Sequence, residues 1–168
     1  WDEGTSSLII AYNNSNVDIL SASGIKNINA IKNSLQSGDK NIYSIFTLNN
    51  LAYLSAGIGI IVLDLKKYEI KDTYIIGSSG NKIKINAVSA DLNSLYAATA
   101  EGVKKAALNS PNLSDYRNWQ LISGTNGLPA GEAEQVATLN NQLIVVKKDS
   151  LFIQTGISWN FIYTDGWK

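Results

Sequence analysis

The stretch "LYAATAEGVKKAAL", residues 95–108, holds two short apolar segments separated by a polar turn at 99–102. This pattern predicts a β-hairpin, and an isolated hairpin is barely stable in water. Related stretches start at Leu8, Leu51 and Leu143, so the four copies are spaced by 43, 44 and 48 residues. In each copy a turn residue and then an apolar residue follow seven or eight places after the first leucine. The hairpin is therefore one unit of an internal repeat.

A period of about 40–50 residues is typical of propeller blades and of helical repeats of the HEAT kind. Short runs rich in Ile, Val, Tyr and Trp stand before and after the hairpins, for example "INAVSADLN" at 85–93 and "YEIKDTYII" at 68–76. These runs have the signature of strands, and no window carries a sustained helical stripe. The segment "GEAEQVATL" at 131–139 is compatible with one helical turn, but its place in the repeat predicts a strand. The pattern predicts an all-β fold.

Four antiparallel strands in each of several repeats indicate a β-propeller of about four four-stranded blades. We expect one propeller domain or fragment over 1–168, with blades at roughly 1–40, 41–84, 85–131 and 132–168. The first repeat lacks its first strand unless residues 1–6 supply a remnant. Small residues such as Ala56 and Ala98 are predicted to lie where blade faces approach each other. The hairpins themselves are predicted near 8–20, 51–64, 95–108 and 143–154.

Closed propellers have about four to eight blades, so slightly fewer than four blades favour a partial ring of a six- to eight-bladed parent. The chain begins at Trp1 and contains no methionine, which we interpret as a sign of a longer protein. An open arc would leave an apolar face at each end. We therefore expect one of three arrangements: further blades in a longer parent, a homodimer joined through the end faces, or a compact four-bladed ring. The first two are favoured over the third.

Composition excludes several classes of function. Fourteen basic residues balance fourteen acidic ones, so there is no global positive field for nucleic acid. No apolar run reaches the ~18–20 residues of a membrane span. Histidine and cysteine are absent, which removes Ser-His-Asp and Cys-His catalysis and the commonest metal ligands. We predict no cofactor, no metal site and no catalytic residue.

Carboxylates are the remaining candidates for catalysis, because paired carboxylates hydrolyse glycosides. The acidic residues are scattered along the chain, and Asp64 and Asp91 stand at ordinary turn positions. The sequence therefore predicts that the protein is not an enzyme, with a propeller glycosidase or lyase as the less favoured alternative. The acids considered are Asp18, Asp64, Asp72, Asp91, Glu101, Asp115, Glu132, Glu134 and Asp149.

Tryptophans and lysine pairs also recur in the repeats. Trp119 and Trp159 occupy equivalent places at the head of the fourth strand, which favours packing between blades over platforms for sugar stacking. Trp167 is compatible with either role. Neighbouring residues of a strand point to opposite faces, so neither 104–105 nor 147–148 forms a single basic patch. We interpret both pairs as lying on solvated strands, and no residue is assigned to ligand binding.

The stretches "GTNGLP" and "LYAATAEGVKKAAL" resemble the repeat of bacterial two-component-regulator propellers. A closer resemblance, from about residue 5 to at least residue 120, is to the amino-terminal propeller of PorZ-like proteins of the type IX secretion system. It includes the segments "DTYIIG" at 72–77 and "LNSPNLSD" at 108–115, which lie outside the generic blade pattern. The resemblance is specific for that reason.

The resemblance implies a non-enzymatic binding or scaffold propeller at the outer surface of Gram-negative cells. PorZ-like proteins carry two propellers and a carboxy-terminal sorting domain, and they act with a sortase-like signal peptidase that attaches cargo to anionic lipopolysaccharide. The implied partners are proteins of this attachment complex, with lipopolysaccharide or another glycan as a further ligand. The alternative is the periplasmic ligand-sensing propeller of a hybrid two-component regulator. The resemblance transfers no site residues.

Overall fold

The computed structural model describes residues 1–34 and 37–164, and these residues are almost entirely β-structure. A one-turn helix, α1 (Ala30–Asn33), and a 3₁₀ turn (Tyr116–Asn118) are its two helical pieces within these ranges. The strands are β1 (Leu8–Ala11), β2 (Val17–Ser21), β3 (Gly24–Ile28), β4 (Ile42–Leu48), β5 (Leu51–Ala56), β6 (Gly59–Asp64), β7 (Glu69–Tyr74), β8 (Ile85–Ala90), β9 (Ser94–Thr99), β10 (Gly102–Ala107), β11 (Gln120–Leu121), β12 (Gln135–Leu139), β13 (Gln142–Lys147), β14 (Ser150–Thr155) and β15 (Ser158–Thr164).

The strands form four consecutive antiparallel sheets, which confirms the predicted partial propeller. Sheets two to four each contain four strands that pair in chain order, namely β4–β7, β8–β11 and β12–β15. The first sheet contains β1, β2 and β3 alone, because residues 1–7 contribute one isolated bridge between Asp2 and Ser7. The segment 131–139 gives strand β12 and no helical turn. The strands β4, β8 and β12 contact each other in succession, so they are the innermost strands of their blades.

The blades stack because apolar side chains that alternate along each strand cover both faces of a middle sheet. In β5, Ala52 and Leu54 face a core shared with the first blade, whereas Tyr53 between them faces a core shared with the third blade. In β9, Ala97 belongs to the core between the second and third blades, and Ala98 to the core between the third and fourth. Successive side chains of a strand point to opposite faces of its sheet. The middle blades are therefore buried on both faces, and Ala56 and Ala98 are fully buried as predicted.

The first and last blades are buried on one face only. In the first blade Val17 and Ile19 are fully buried against the second blade, whereas Leu20 and Ile25 on its other side are exposed. The last blade buries Leu143 and Val145 against the third blade, and the intervening Ile144 and Val146 are only half-buried. Each end of the arc consequently presents an apolar sheet face.

The connection between the third and fourth blades, residues 122–134, is a compact loop. Asn126 and Gly127 have positive φ angles of 52° and 96°. The carbonyl of Asn126 accepts a hydrogen bond from the backbone N–H of Trp159 at 2.7 Å, which attaches the loop to β15. A Cβ atom on Gly127 would lie 2.6 Å from the carbonyl oxygen of Trp159, so this close approach requires glycine. The loop forms one wall of the cleft described below.

Candidate functional site

The two recurrent tryptophans are core residues. Trp119 and Trp159 are each 6% exposed, and they belong to the cores on either side of the third blade. The indole N–H of Trp119 donates a hydrogen bond to the carbonyl of Leu113 at 2.8 Å. The interpretation as packing residues is confirmed, because neither ring has a free face for a sugar. Trp167 lies outside the described residues.

The interpretation of the lysine pairs as solvated is wrong for Lys104. This side chain is 1% exposed, and its ammonium lies 2.7 Å from a carboxylate oxygen of Glu101. It also donates to the carbonyl of Ile76 at 2.7 Å and to the hydroxyl of Ser78 at 3.0 Å. Lys104 lies on the same face of β10 as Ala106, and this face packs in the core shared with the second blade. Lys105 is half-buried on the other face, with its ammonium 5.6 Å from the ring centre of Tyr96.

The contribution of Glu101 to folding stability depends on pH in the acidic range. Burial raises the pKa of Glu101, but hydrogen bonds from Lys104 and Ser78 outweigh it, so the pKa is lowered overall. A lowered folded-state pKa contributes stability above the unfolded pKa, and this contribution is lost as pH falls through the folded value. We expect Glu101→Gln to lose stability at neutral pH and to differ less from the natural protein as pH falls below about 4. Urea unfolding at pH 7, 5 and 3 measures this, and a pH-independent difference would contradict it.

A row of polar side chains, here named the axial cluster, stands at the starts of the innermost strands. It consists of Asp39, Tyr43, Lys84, Asn86 and Glu132, and it runs across three successive blades. The hydroxyl of Tyr43 donates a short hydrogen bond to the carboxylate of Asp39. That bond, followed by one from the backbone N–H of Asn41, lowers the pKa of Asp39. The same bond raises the pKa of Tyr43, so a phenol and a carboxylate act as one unit at the beginning of β4.

Lys84 joins the second blade to the fourth within the axial cluster. Its ammonium lies 4.6 Å from the ring centre of Tyr43 and 4.0 Å from a carboxylate oxygen of Glu132. The side chains of Lys84 and Glu132 are 43% and 51% exposed, so this ion pair contributes little to stability. These charges are therefore available to a ligand.

Asn86 fixes the position of Glu132. Its amide donates to a carboxylate oxygen of Glu132 at 2.9 Å and to the carbonyl of Ala133 at 2.8 Å, and the Asn86 side chain is 9% exposed. At the other end of the same strands, the hydroxyl of Thr138 donates to the carbonyl of Ala90 at 2.6 Å. These bonds fix the position of β8 against β12, the innermost strands of two neighbouring blades, and they hold the Glu132 carboxylate in place.

A cleft of about 660 Å³ continues from Glu132 along the last blade. We name it the Lys147 cleft, and its lining includes Gly131, Glu132, Glu134, Lys147, Lys148 and Phe152. Lys147 is 6% exposed, so its interpretation as solvated is also wrong, whereas Lys148 is exposed. The Lys147 ammonium donates a short hydrogen bond to the carbonyl of Gly131. Burial lowers the pKa of Lys147, and the nearby Glu132 opposes this effect.

The acidic residues considered for catalysis lie mostly in turns and local hydrogen bonds. Asp64 accepts from the backbone N–H groups of Lys66 and Lys67, and Asp91 from those of Asn93 and Ser94. Asp18 accepts from Tyr12 and Asn27, Asp72 from the N–H of Thr73, and Asp115 from Arg117. Glu132 and Glu134 are brought together in the Lys147 cleft, whereas Asp149 is an exposed turn residue.

The acidic side chains whose pKa departs from its usual value do not favour acid catalysis. Hydrogen bonds or nearby cations lower the pKa of Asp39, Asp64, Asp91, Glu101 and Asp115. A glycosidase needs a general acid with a raised pKa. Within residues 1–34 and 37–164, no three His, Cys, Asp or Glu side chains lie close enough to hold a metal ion together. The absence of an enzymatic site stays a prediction.

The sequence reasoning missed the axial cluster. Lys84 directly precedes β8, and Glu132 stands three places before β12, so both occupy the approach to the first strand of a blade. Tyr43 is the second residue of β4. Aligning the second, third and fourth repeats at their first strands would have placed these polar residues together at the starts of the innermost strands. The sequence alone carries no other signal for the axial cluster, since its residues are far apart in the chain.

The fold and the site together define a partial β-propeller with a charged, hydrogen-bonded surface at one end of its innermost strands. The chain belongs to the family of N-terminal β-propeller domains of PorZ, a component of the type IX secretion system, whose family model matches residues 1–120. The resemblance stated from the sequence is thereby confirmed. No curated protein matches the sequence.

Solved structures support the same fold. PorZ of Porphyromonas gingivalis, described as an essential bacterial surface component of the type IX secretion system, is similar with a TM-score of 0.82 and 24% identity over 96% of this chain and 21% of that chain. The extracellular domain of a hybrid two-component system from B. thetaiotaomicron is similar with a TM-score of 0.64 and 12% identity over 99% and 23% of the two chains. The chain thus spans about a fifth of the length of these solved proteins.

Proposed function

We propose that this chain is a non-enzymatic binding and scaffold propeller of a cell-surface complex that secretes and attaches proteins by the type IX route. The observation that carries this proposal is the family match over residues 1–120. The rigid, charge-bearing axial cluster supports it, because conformationally fixed polar groups on a propeller end suit recognition of a partner.

The proposed partners are proteins of the attachment complex, with lipopolysaccharide or another glycan as a second class of ligand. The proposed location is the outer surface of the outer membrane after export. Among the described residues, no helix is long and apolar enough to cross a membrane.

Deletion of this propeller from its gene in the native host tests the proposed function. We expect secreted cargo to be lost from the cell surface and to accumulate inside the cell envelope, because the attachment complex would lack a scaffold. A matched control restores the natural propeller on a plasmid. Normal surface attachment of cargo in the deletion strain, with the truncated protein still present, would contradict the proposal.

The alternative function is a periplasmic sensor propeller of a hybrid two-component regulator. Its support is the structural likeness to extracellular domains of such systems from B. thetaiotaomicron, with TM-scores of 0.64. The same deletion separates the two functions, because loss of a sensor would change transcription while leaving cargo attachment intact. A glycosidase or lyase is the least supported alternative. Every acidic side chain described above whose pKa departs from its usual value has a lowered pKa, whereas a glycosidase needs a general acid with a raised one.

We also propose that the isolated chain associates through the apolar faces of its terminal blades. Burying even 500 Å² of apolar surface contributes on the order of 12 kcal/mol as an upper bound. Static light scattering is expected to give a mass of about twice the 18.2 kDa of one chain. Ile25→Lys, at a 65% exposed position of the first blade, should shift the protein towards monomer. A natural chain that is monomeric at all concentrations would contradict this prediction.

A further inference from the structure

Lys147 has fewer hydrogen-bond acceptors than its degree of burial requires. An ammonium group has three N–H donors. The ammonium of Lys104 meets three acceptors, the carbonyl of Ile76, the hydroxyl of Ser78 and the carboxylate of Glu101. The ammonium of Lys147, which is 6% exposed, meets one acceptor among the described residues, the carbonyl of Gly131. Lys104 and Lys147, the two buried lysines among the described residues, therefore differ in the number of donors that the protein satisfies.

The position of Lys147 gives its remaining donors access to a ligand. The side chain lines a cleft of about 660 Å³, which lies within the usual range of ligand sites, roughly 300–1,000 Å³. Lys104, by contrast, is enclosed by the connection between the second and third blades and by Glu101. A buried cation binds an acceptor strongly, because hydrogen bonds in which one partner is charged are stronger than those between neutral groups.

The charges around the cleft select the class of acceptor. Glu132 and Glu134 balance Lys147 and Lys148, so the cleft carries no large positive excess that would favour a phosphate dianion. Glu132 is already engaged by Asn86 at 2.9 Å and by Lys84 at 4.0 Å. A single negative charge is therefore the best match to the Lys147 ammonium, and a carboxylate carries one such charge and accepts charge-assisted hydrogen bonds from an ammonium.

A carboxylate could come from an acidic sugar or from a polypeptide, and the apolar part of the cleft favours the polypeptide. Acidic sugars gain affinity by stacking on exposed aromatic rings. Phe152, the aromatic side chain of this cleft, is 7% exposed and is packed edge-on against Phe161 at 5.9 Å between ring centres. It offers no free ring face for a sugar. A polypeptide needs no such platform, since its backbone N–H groups can donate to the exposed carboxylates of the rim.

We propose that the Lys147 cleft binds a carboxylate group of a partner polypeptide, with the Lys147 ammonium as the central hydrogen-bond donor. The carboxylate accepts from the Lys147 ammonium beside the Gly131 carbonyl. Lys148 on the rim adds long-range attraction, and Glu134 is positioned for an N–H group of the same polypeptide. This inference rests on the proposed function, because it names the chemistry by which a protein partner is recognised.

Amide chemical shifts of the full 168-residue chain provide the test. The probes are the tripeptide acetyl-Gly-Gly-Ala with a free carboxylate, the same tripeptide with an amidated terminus, sodium galacturonate and inorganic phosphate. We expect the free carboxylate peptide to shift the amides of Gly131, Lys147, Lys148 and Ser150 in a saturable way. Its affinity should exceed that of the amidated peptide by about tenfold or more, the value of one charge-assisted hydrogen bond.

Two variants assign the effect to Lys147. Lys147→Met should abolish the preference for the free carboxylate, whereas Lys148→Met, at the exposed neighbour, should change the affinity by no more than about threefold. Equal binding of the two peptides, or saturable binding of galacturonate or phosphate with no response to the peptide, would overturn the proposal. The comparison of free and amidated peptide on the natural chain decides the question even if Lys147→Met fails to fold. The two experiments distinguish this inference from the proposed function. If the cleft shows no carboxylate affinity but deletion of the propeller still abolishes cargo attachment, this inference is overturned and the proposed function stands.

Discussion

Replacing Lys104 with methionine is expected to lower the free energy of unfolding by about 2–3 kcal/mol, because a partly buried carboxylate loses its cation and a buried carbonyl loses its donor. The variant leaves the carboxylate of Glu101, 2.7 Å from the ammonium in the natural protein, without its cation. It also removes the donor to the carbonyl of Ile76 and to the hydroxyl of Ser78. Urea unfolding followed by circular dichroism at pH 7 measures the change.

Lys105→Met is the matched control, because it removes the same charge from the next residue of the same strand. Lys105 is half-buried, and its ammonium lies 5.6 Å from the ring centre of Tyr96, so we expect a loss of less than about 1 kcal/mol. The double variant Lys104→Met with Glu101→Gln should recover part of the stability, since no isolated charge remains. Equal losses in the two single variants would contradict the assignment of Lys104 as a buried structural cation.

Most of the fold could be predicted from the sequence, because the physical rules that fix it are local and repeated. The spacing of the four hairpins located β1–β2, β5–β6, β9–β10 and β13–β14. The small residues Ala56 and Ala98 were correctly predicted to lie where blade faces approach each other. The absence of a first strand in the first blade was also predicted, because no alternating run precedes the hairpin of the first repeat. The short helix α1 was not predicted, since four residues carry no helical period.

The site was much less predictable, because it depends on which faces of each sheet are covered. Alternation correctly placed Lys104 and Lys105 on opposite faces, but it does not say that both faces of β10 pack against neighbouring blades. The nearest signal was Glu101, three residues before Lys104 and able to neutralise it. The axial cluster and the Lys147 cleft bring together residues between 39 and 152, and such contacts follow only once the blades are arranged around an axis.

Replacing Gly59 with alanine is expected to destabilise the protein by roughly 3–5 kcal/mol, the sum of backbone strain and a steric clash. Gly59 begins β6 with a φ angle of 136°, a conformation that residues with a Cβ atom rarely adopt. A Cβ atom there would lie 2.3 Å from the carbonyl oxygen of Tyr74, which belongs to the neighbouring strand β7. Because this oxygen is part of the backbone, relief of the clash would require β6 and β7 to separate. Thermal and urea unfolding of the variant measure the loss.

Gly24 provides the control that separates strain from contact. It begins β3 with a φ angle of 111°, and a Cβ atom added there would meet nothing within 4 Å. Gly24→Ala therefore carries the backbone strain without the clash, and we expect a loss of about 1 kcal/mol. The difference between the two variants gives the contribution of the close approach between β6 and β7. Similar losses for Gly59→Ala and Gly24→Ala would mean that strain alone requires glycine at the start of these strands, and that β6 and β7 tolerate a wider separation than their close approach indicates.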